Sequence, residues 1–458
     1  MKIIVLGAGQ VGSTVAQNLA RENNDVTVVD TDSEVLSALS NTFDLRTIEG
    51  YASHPHVLKD AGAEDADMIV AATNADEVNM VACQIAYSMF HTPTKIARIR
   101  SQGYLSEGAQ LFKNDHIPVD VLISPERLVT DHIERIIEHP GALQVVGFAE
   151  GRVSMVGVTV DDKAPMKDKA VWQLSVLLPD VETRVMAVFR DEHALIPDGD
   201  TVIHEDDVVF FLAMRKETRE VMAQFRTTEK RNKRIMIAGG GNIGAGLAHR
   251  LQDRYHVKLI ESVTERADQL ASDLKNVLVF NGDAADHELL MGEYVRDMDV
   301  FCALTNDDEA NILSAMLAKR AGAGKVMSLI NRPAYVDLVE SGFIDLAVSP
   351  QQVTIGALLT HIRRGDVVAV YSLRKGSAEA MEAVAHGDPE TSKVVGRKIG
   401  ELPLPKDVTI GALVREGRMV SASHDTYVEP EDHVILLVLD KAHIPEVERL
   451  FQVNVTFI

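Results

Sequence analysis

Only two cysteines and one tryptophan stand among 458 residues, and aromatic side chains make up 5% of the chain. No apolar run approaches the roughly 20 residues that a membrane-spanning helix needs. So little cysteine excludes a disulfide-built scaffold. Cys83 and Cys302 fall one in each half, inside apolar helix or strand patterns, and read as buried thiols of a reducing compartment. Positive charge is short as well: 46 Lys and Arg against 68 Asp and Glu leave a net charge of −22. Such a surface repels nucleic acid and anionic lipid at long range, which argues against nucleic-acid binding. A signal-peptide pattern is missing too, so the expectation is a cytoplasmic chain that reaches a membrane only through a protein partner. Catalytic and metal motifs are equally scarce, with no G-x-S-x-G, no P-loop lysine and no H-E-x-x-H. His54-Pro55-His56 lacks further ligands at metal spacing and reads as a loop, so no metal site is expected.

What is present is a long internal repeat. Lys2-Ile3-Ile4-Val5-Leu6-Gly7-Ala8-Gly9-Gln10-Val11-Gly12 recurs as Arg234-Ile235-Met236-Ile237-Ala238-Gly239-Gly240-Gly241-Asn242-Ile243-Gly244, with Gly239 standing 232 residues after Gly7. In each copy a short apolar run, fit for a buried parallel strand, leads into three glycines and then a helical pattern. The alternation continues through strand Val26–Val29, helix Ser33–Leu39, strand Met68–Ala72, helix Asp76–Ser88 and strand Lys95–Arg100. Later landmarks keep order: Gly282-Asp283-Ala284 matches Gly50-Tyr51-Ala52, and Thr305-Asn306-Asp307-Asp308-Glu309 matches Thr73-Asn74-Ala75-Asp76-Glu77. Strands and helices that alternate in this way predict a doubly wound parallel sheet, twice over.

Each half continues into Ser-Pro and an amphipathic helix, Ser124 to about Glu138 and Ser349 to about Gly365, proline suiting the first helical position. Short strands follow, with shared text at Arg190-Asp191 and Arg415-Glu416, and at Asp207 and Asp432. The expected fold class is α/β. Rossmann-like domains at 1–123 and 232–348 are each followed by a crossover helix, 124–142 and 349–366, and a small α+β module, 143–228 and 367–455. Trp172 reads as core, and His132 and His139 as lying on the solvated side of the first crossover helix.

The glycine motif gains weight because it follows a strand, opens a helix and has an acid at the end of the next strand. Gly7 and Gly239 suit a tight turn, Gly9 and Gly241 a backbone that approaches a pyrophosphate, and Gly12 close packing of helix on strand. The helix N-terminus, at Gln10 and Val11 or Asn242 and Ile243, offers amides to an anion. Asp30 and Glu261 lie where a carboxylate meets ribose hydroxyls and disfavours a 2′-phosphate, so NAD is expected over NADP. Thr73-Asn74 and Thr305-Asn306 end their strands on the crevice side; they suit a ligand contact or a helix cap. Arg98 and Arg100, on an otherwise apolar strand, call for an anion, either a phosphate or a structural carboxylate. The later half places uncharged Ser328 at the position aligned with Arg98, with Arg332 nearby, so the two sites are expected to differ, ATP or ADP favouring the first and NAD(H) the second. A nucleotide fold that has lost its ligand remains the alternative for either half.

On Gly7-Ala8-Gly9-Gln10-Val11-Gly12 with Asp30, Thr73 to Glu77, Arg98, Gly282-Asp283-Ala284 and Asn306 to Asn311, the chain resembles the tandem RCK family, regulators of potassium conductance. Tyr51 departs from the family's usual Asp, which Asp283 retains. The resemblance implies binding of NAD(H), and of ATP or ADP, through Gly7, Ala8, Gly9, Gln10, Val11, Gly12, Asp30, Thr73, Asn74, Arg98 and Arg100. In the second half it implies Gly239, Gly240, Gly241, Asn242, Ile243, Glu261, Asp283, Thr305 and Asn306. It also implies a homotetrameric ring on the cytoplasmic face of the inner membrane, docked on a potassium-translocating subunit of TrkH or TrkG type. Two other readings stay open. An NAD-dependent oxidoreductase needs a substrate domain with a placed acid or base, which neither small module evidently offers. A purely structural scaffold would bind no nucleotide.

Overall fold

The most apolar runs of the chain become the central strands of two parallel sheets. In the computed structural model, which describes residues 1–21, 24–191, 193–227, 232–340, 344–362, 366–374 and 377–452, the first runs β1 (Lys2–Leu6), α1 (Gln10–Arg21), β2 (Asp25–Asp30), α2 (Ser33–Thr42), β3 (Arg46–Glu49), α3 (Pro55–Asp60), β4 (Met68–Ala71), α4 (Asp76–Phe90), β5 (Thr94–Arg98), the short helices α5 (Gln102–Ser106) and α6 (Gly108–Leu111), and β6 (Val121–Ile123). Its strands are parallel in the order β3-β2-β1-β4-β5-β6. The order reverses between β1 and β4, and the crevice outside their carboxyl ends is where such sheets hold ligands. Strands β3 and β6 have no counterpart in the sequence reading, because strands of four and three residues at a sheet edge carry too little periodicity. Helix α7 (Pro125–Glu138) follows at once.

The second parallel sheet repeats this plan: β14 (Arg234–Ala238), α10 (Asn242–Leu251), β15 (His256–Glu261), α11 (Thr264–Asp273), β16 (Val277–Asn281), α12 (His287–Gly292), β17 (Val300–Ala303), α13 (Asp308–Arg320), β18 (Lys325–Leu329), α14 (Pro333–Glu340), β19 (Leu346–Val348) and α15 (Pro350–Ile362). Its order is β16-β15-β14-β17-β18-β19.

Between these lies an antiparallel module of β7 (Ala142–Phe148), β8 (Val153–Thr159), β9 (Lys169–Ala170), α8 (Gln173–Leu177), β10 (Thr183–Arg190), β11 (His193–Leu195), β12 (Val202–Ile203), β13 (Val208–Met214) and α9 (Thr218–Phe225). Its counterpart is β20 (Val367–Leu373), β21 (Ala378–Val384), β22 (Val408–Arg415), β23 (Arg418–Ser421), β24 (His433–Val438) and α16 (Ile444–Leu450). The orders β11-β10-β13-β8-β7 and β23-β22-β24-β21-β20 correspond strand for strand. The matched text seen in the sequence is one ion pair made twice: Arg190 grips buried Asp207 at 2.8 and 2.7 Å, and Arg415 grips buried Asp432 at 2.9 and 2.8 Å. The two antiparallel sheets share a core of Phe148, Met186, Phe210, Ala380, Ala412 and Leu437. Gly411 makes that possible, since a Cβ there would sit 1.9 Å from Met186 Sδ.

The chain packs as two compact units. One holds residues 1–130, 330–333 and 349–358; the other holds 131–329, 334–348 and 359–458. Within the first, Gln351 at the start of α15 lies 3.5 Å from Thr14 Oγ1 on α1. Within the second, Asp131, Glu134 and Glu138 along α7 pair with Arg250 and Arg254 at the end of α10.

Two expectations change, and one strand had none. Trp172 is half exposed, at 51%, because it precedes the short surface helix α8 instead of entering a strand. His132 does not ride on a solvated face: desolvation, with Arg135 and Lys325 close by, holds its imidazole down to about 4. Strand β21 went unseen because Glu379 and Glu382 interrupt its apolar pattern; both are buried, Glu382 against His433 Nδ1 and the Ala149 N–H. Cys83 and Cys302 are buried as expected, and burial pushes both thiols up to about 12.

Candidate functional site

Both glycine loops are built by the same backbone constraints. Gly7 and Gly239 adopt φ +100 and +101, a left-handed turn that glycine takes without strain. A Cβ on Gly12 or Gly244 would stand 1.8 or 1.9 Å from the carbonyl oxygen of Gly7 or Gly239. The close approach expected at Gly12 is therefore made first to the loop, with Val5 of β1 3.6 Å away. Gly9 and Gly241 differ in kind: among the described residues nothing lies within 4 Å of a Cβ built on either, so the space above them is open. Gln10 and Asn242 begin α1 and α10 beside that space, followed by Val11 and Ile243. The first amides of a helix lack intrahelical acceptors and are available to an anion there.

The acids on the second strands hold these loops. The Asp30 carboxylate accepts from the Ala8 N–H with one oxygen and from the Asp32 N–H, at 3.0 Å, with the other. Glu261 does the same for the Gly240 N–H at 2.8 Å and the Val263 N–H at 2.9 Å. A carboxylate oxygen has further lone pairs, so clamping the loop and accepting from a ribose are compatible.

Thr73 and Thr305 turn inward. The Thr73 hydroxyl and N–H both donate to Asn79 Oδ1, at 2.7 and 3.0 Å, and the Asn79 amide donates to the Arg98 carbonyl at 2.9 Å. The Thr305 hydroxyl and N–H meet Asn311 Oδ1 at 2.7 and 2.8 Å, and Asn311 reaches the Leu329 carbonyl at 3.0 Å. Each fully buried asparagine thus fastens the end of one strand to the end of the next, a role for the threonines beyond the two expected. Matching of Asn311 to Asn79 in the repeat was the available signal. Asn74 and Asn306 stay exposed at the mouth. Asp283 is exposed and accepts from the Ala285 N–H at 2.8 Å, shaping the turn after β16; Tyr51 is 65% exposed.

The arginine region needs two corrections. Strand β5 ends at Arg98, so Arg100 lies beyond it; the Arg100 and Ser101 amides donate to buried Asp76 at 3.0 and 2.8 Å. The counterpart of Arg98 is not Ser328. Strand pairing sets Arg98 opposite Ile123 and Leu329 opposite Val348, and the two asparagines reach the Arg98 and Leu329 carbonyls. Ser328 therefore matches Ala97, because the second half is one residue shorter before this strand. The set Arg98, Arg100, Glu126 becomes Leu329, Asn331, Gln351. In the first half Glu126 Oε1 lies 3.7 Å from Arg98 and 3.3 Å from Arg100. Burial holds the Arg98 guanidinium below the ordinary arginine range, and Glu126 opposes that shift. The second half has a cation elsewhere: Arg266 Nε on α11 donates to the Gly240 carbonyl at 3.1 Å. Apart from both sites, Asp407, Asp440 and His443 bring possible ligand atoms within 4.8 Å of one another, with Asp440 already capping the turn that follows it.

The chain is similar to known proteins in sequence and in fold. The model of the TrkA-N domain matches residues 3–125 and 235–350, and that of the TrkA-C domain matches 155–226 and 388–452. The chain is 55% identical over 457 residues to the Trk system potassium uptake protein TrkA of Halomonas elongata, covering 100% of both. It is 56% identical to that of Vibrio alginolyticus over 459 residues, again covering 100% of both. A TrkA homolog of Archaeoglobus fulgidus is 33% identical, over 99% of this chain and 100% of the relative. In fold it resembles the GsuK RCK domain, with TM-score 0.62, 17% identity, and coverage of 98% of this chain and 94% of that one. The GsuK channel bound to NAD aligns with TM-score 0.61 and 17% identity, over 98% and 79%.

Proposed function

We propose that this chain, which belongs to the TrkA family, is the nucleotide-sensing regulatory subunit of a potassium-uptake system. It binds NAD(H), and ATP or ADP, at the two glycine loops and gates a membrane-embedded potassium-translocating partner. Full-length identity to Trk potassium uptake proteins supports the setting. The observation that carries the binding is the open space above Gly9 and Gly241, at the switch point of each sheet and beside a helix N-terminus and an acid. Glycine without a packing reason leaves room for something from outside; Gly7 and Gly12 have packing reasons and Gly9 has none.

In this reading Gly7 to Gly12 and Gly239 to Ile243 cradle phosphates and Asp30 and Glu261 meet the ribose. Asn74, Asn306 and Asp283 border the mouth, while Thr73 and Thr305 act through the asparagine clasp. Arg98 and Arg100 add charge only to the first site, so ATP or ADP favours that site and NAD(H) the second. No helix among the described residues is long and apolar enough to cross a membrane. The proposed place of work is the cytoplasmic face of the inner membrane, where the chain docks, as a homotetrameric ring, on a subunit of TrkH or TrkG type. A ligand moves such a ring only by binding its conformations unequally.

Calorimetric titration of the full chain with NADH and with ATP tests the reading: two occupied sites per chain are expected. Absence of heat with both nucleotides would sink it. Steady NADH oxidation with a carbonyl substrate would replace it with an oxidoreductase. Equal recovery with membranes that contain and lack the transporter would remove the docking.

A further inference from the structure

The chain carries a net charge of −22, yet one cavity of about 450 Å³ is lined by Arg215, Arg219, Arg226, Lys233 and Arg254. Its volume falls in the range of small-molecule sites, roughly 300–1,000 Å³. It lies within the second compact unit, where the end of α7, helix α9, the approach to β14 and the exit from α10 meet. It shares no lining residue with either glycine loop. Among the described residues a single carboxylate lines it, that of Glu138, and this one is divided: it pairs with Arg254 and lies 3.4 Å from Arg215. Cations gathered in such excess repel one another, and an anion of several charges relieves that repulsion.

The cluster is held in place by the backbone around it. Gly141, with φ +88, ends the turn after α7, and a Cβ there would stand 2.9 Å from Cδ and Nε of Arg226. That glycine lets Arg226 lie against the main chain and donate to the Gly141 carbonyl at 3.3 Å. His139 also lines the cavity, its ring fixed by Nδ1 at 2.8 Å from the Arg135 carbonyl. The second antiparallel module supplies a comparison inside the same molecule. It repeats Asp207, Val221 and Phe225 as Asp432, Val447 and Phe451, all of them buried. In place of Arg215, Arg219 and Arg226 it has Asp440, Pro445 and Gln452. Such a module folds without the three arginines, so their charge answers to something other than the fold.

We propose that this cavity binds a compact polyanion made of phosphate groups, at a site separate from the glycine loops. All but one of its five cations are arginines, whose guanidinium forks match phosphate oxygens two at a time. Tyr255, in the same lining, already carries the Arg254 guanidinium 5.6 Å from its ring centroid. Recognition is therefore by charge, without the stacking that a nucleotide base would need. A polyphosphate seated there meets α9 of the first antiparallel module and the ends of β14 and α10 in the second Rossmann-like fold. These belong to one compact unit, so the anion adds a bridge inside that unit.

The test is calorimetric titration of the full chain with inorganic tripolyphosphate, after saturation with NADH so that the glycine loops are filled. One further site per chain is expected. R215Q/R219Q neutralises two exposed cations of the cavity and should weaken tripolyphosphate at least tenfold, while NADH binding stays unchanged. R215D, which installs the residue of the second module, should weaken it at least tenfold as well. R397Q/K406Q makes the same change of charge at exposed positions of the second module and should leave the affinity as it was. Thermal unfolding gives a second readout: tripolyphosphate should raise the midpoint of the unaltered chain and leave that of R215Q/R219Q in place. No binding by the unaltered chain overturns the proposal, as does undiminished binding by R215Q/R219Q or R215D. An equal loss in R397Q/K406Q also overturns it, since net charge alone would then explain the effect. Should NADH fail to bind, the titration without it still decides, because the comparison of variants does not depend on the glycine loops.

Discussion

Gly12 and Gly244 leave no space for even a methyl group, Asp30 and Glu261 clamp the same loop amide, and Asn79 and Asn311 fasten the same pair of strand ends. A few ångströms away the correspondence stops: Arg98, Arg100 and Glu126 have become Leu329, Asn331 and Gln351, and the second half carries Arg266 on the opposite flank of its loop, beside the acid. At these positions the halves agree, because backbone geometry or a buried hydrogen-bonding group demands the residue. They differ in the charged residues at the end of the fifth strand and the start of the crossover helix. A duplicated fold constrains its copies through strain and desolvation, which act whatever the ligand, and leaves charge around the ligand free to diverge.

The largest effect should come from closing one loop at a time. G12V and G244V each force a side chain onto a carbonyl oxygen, and nucleotide occupancy should fall by one site per chain in either variant and to zero in the pair. Overpacking of this kind costs about 1–3 kcal/mol or more of stability. Calorimetric stoichiometry reads the result, and loss of both sites through G12V alone would show that the halves do not bind independently.

Next in size is the charge difference. R98L/R100N should weaken ATP by roughly tenfold to a hundredfold per arginine, from the loss of charged hydrogen bonds worth about 1.5–3 kcal/mol each, with a smaller loss for NADH. Equal losses for the two nucleotides would mean that these arginines do not distinguish the sites.

The shared clasp gives an effect that should match between halves. N79A and N311A each strand a threonine amide and a strand-end carbonyl, at a cost of about 1–3 kcal/mol. Denaturant midpoints should shift equally, with unchanged slopes; a clear inequality would show that one half carries more of the stability.

Smallest is a pH effect confined to the first crossover helix, where His132 occupies the position that Ala357 holds in α15. Its folded imidazole is held down to about 4 from 6.5, so between those values the unfolded chain binds a proton that the folded chain refuses. Stability from this group is present above about pH 6.5 and is lost as pH falls toward 4; with the ring half-buried, about 1 kcal/mol is expected. H132Q should flatten that part of the profile, read by thermal unfolding across pH 4 to 7. A residual slope should remain, because burial also holds His361 low.

Much of this was legible in the order of residues. The glycines announced their loops because a left-handed turn and a near-contact admit no other residue, and the apolar runs announced β1, β4 and β14 because parallel strands are buried on both faces. The partner of Arg98 was legible only as a need for some anion: Glu126 is 28 positions away in the chain, and nothing local marks it. The identity of Arg98's counterpart was misread for a related reason, since a one-residue difference in loop length is invisible until strand pairing sets the register. β21 was missed because a buried glutamate looks, in sequence, like a solvent-facing one.

The duplicated architecture, the position of each glycine loop and the acid that follows it could all be read from residue order, because they depend on backbone conformation and periodicity, which are local. Folding was needed to show that Glu126 sits on Arg98 and Arg100, that Asn79 and Asn311 are clasps, that Gly411 yields to Met186, and that α7 ends on Arg250 and Arg254. Those are contacts between distant parts of the chain, and whether a charge is buried, and against what, is a property of the packed molecule.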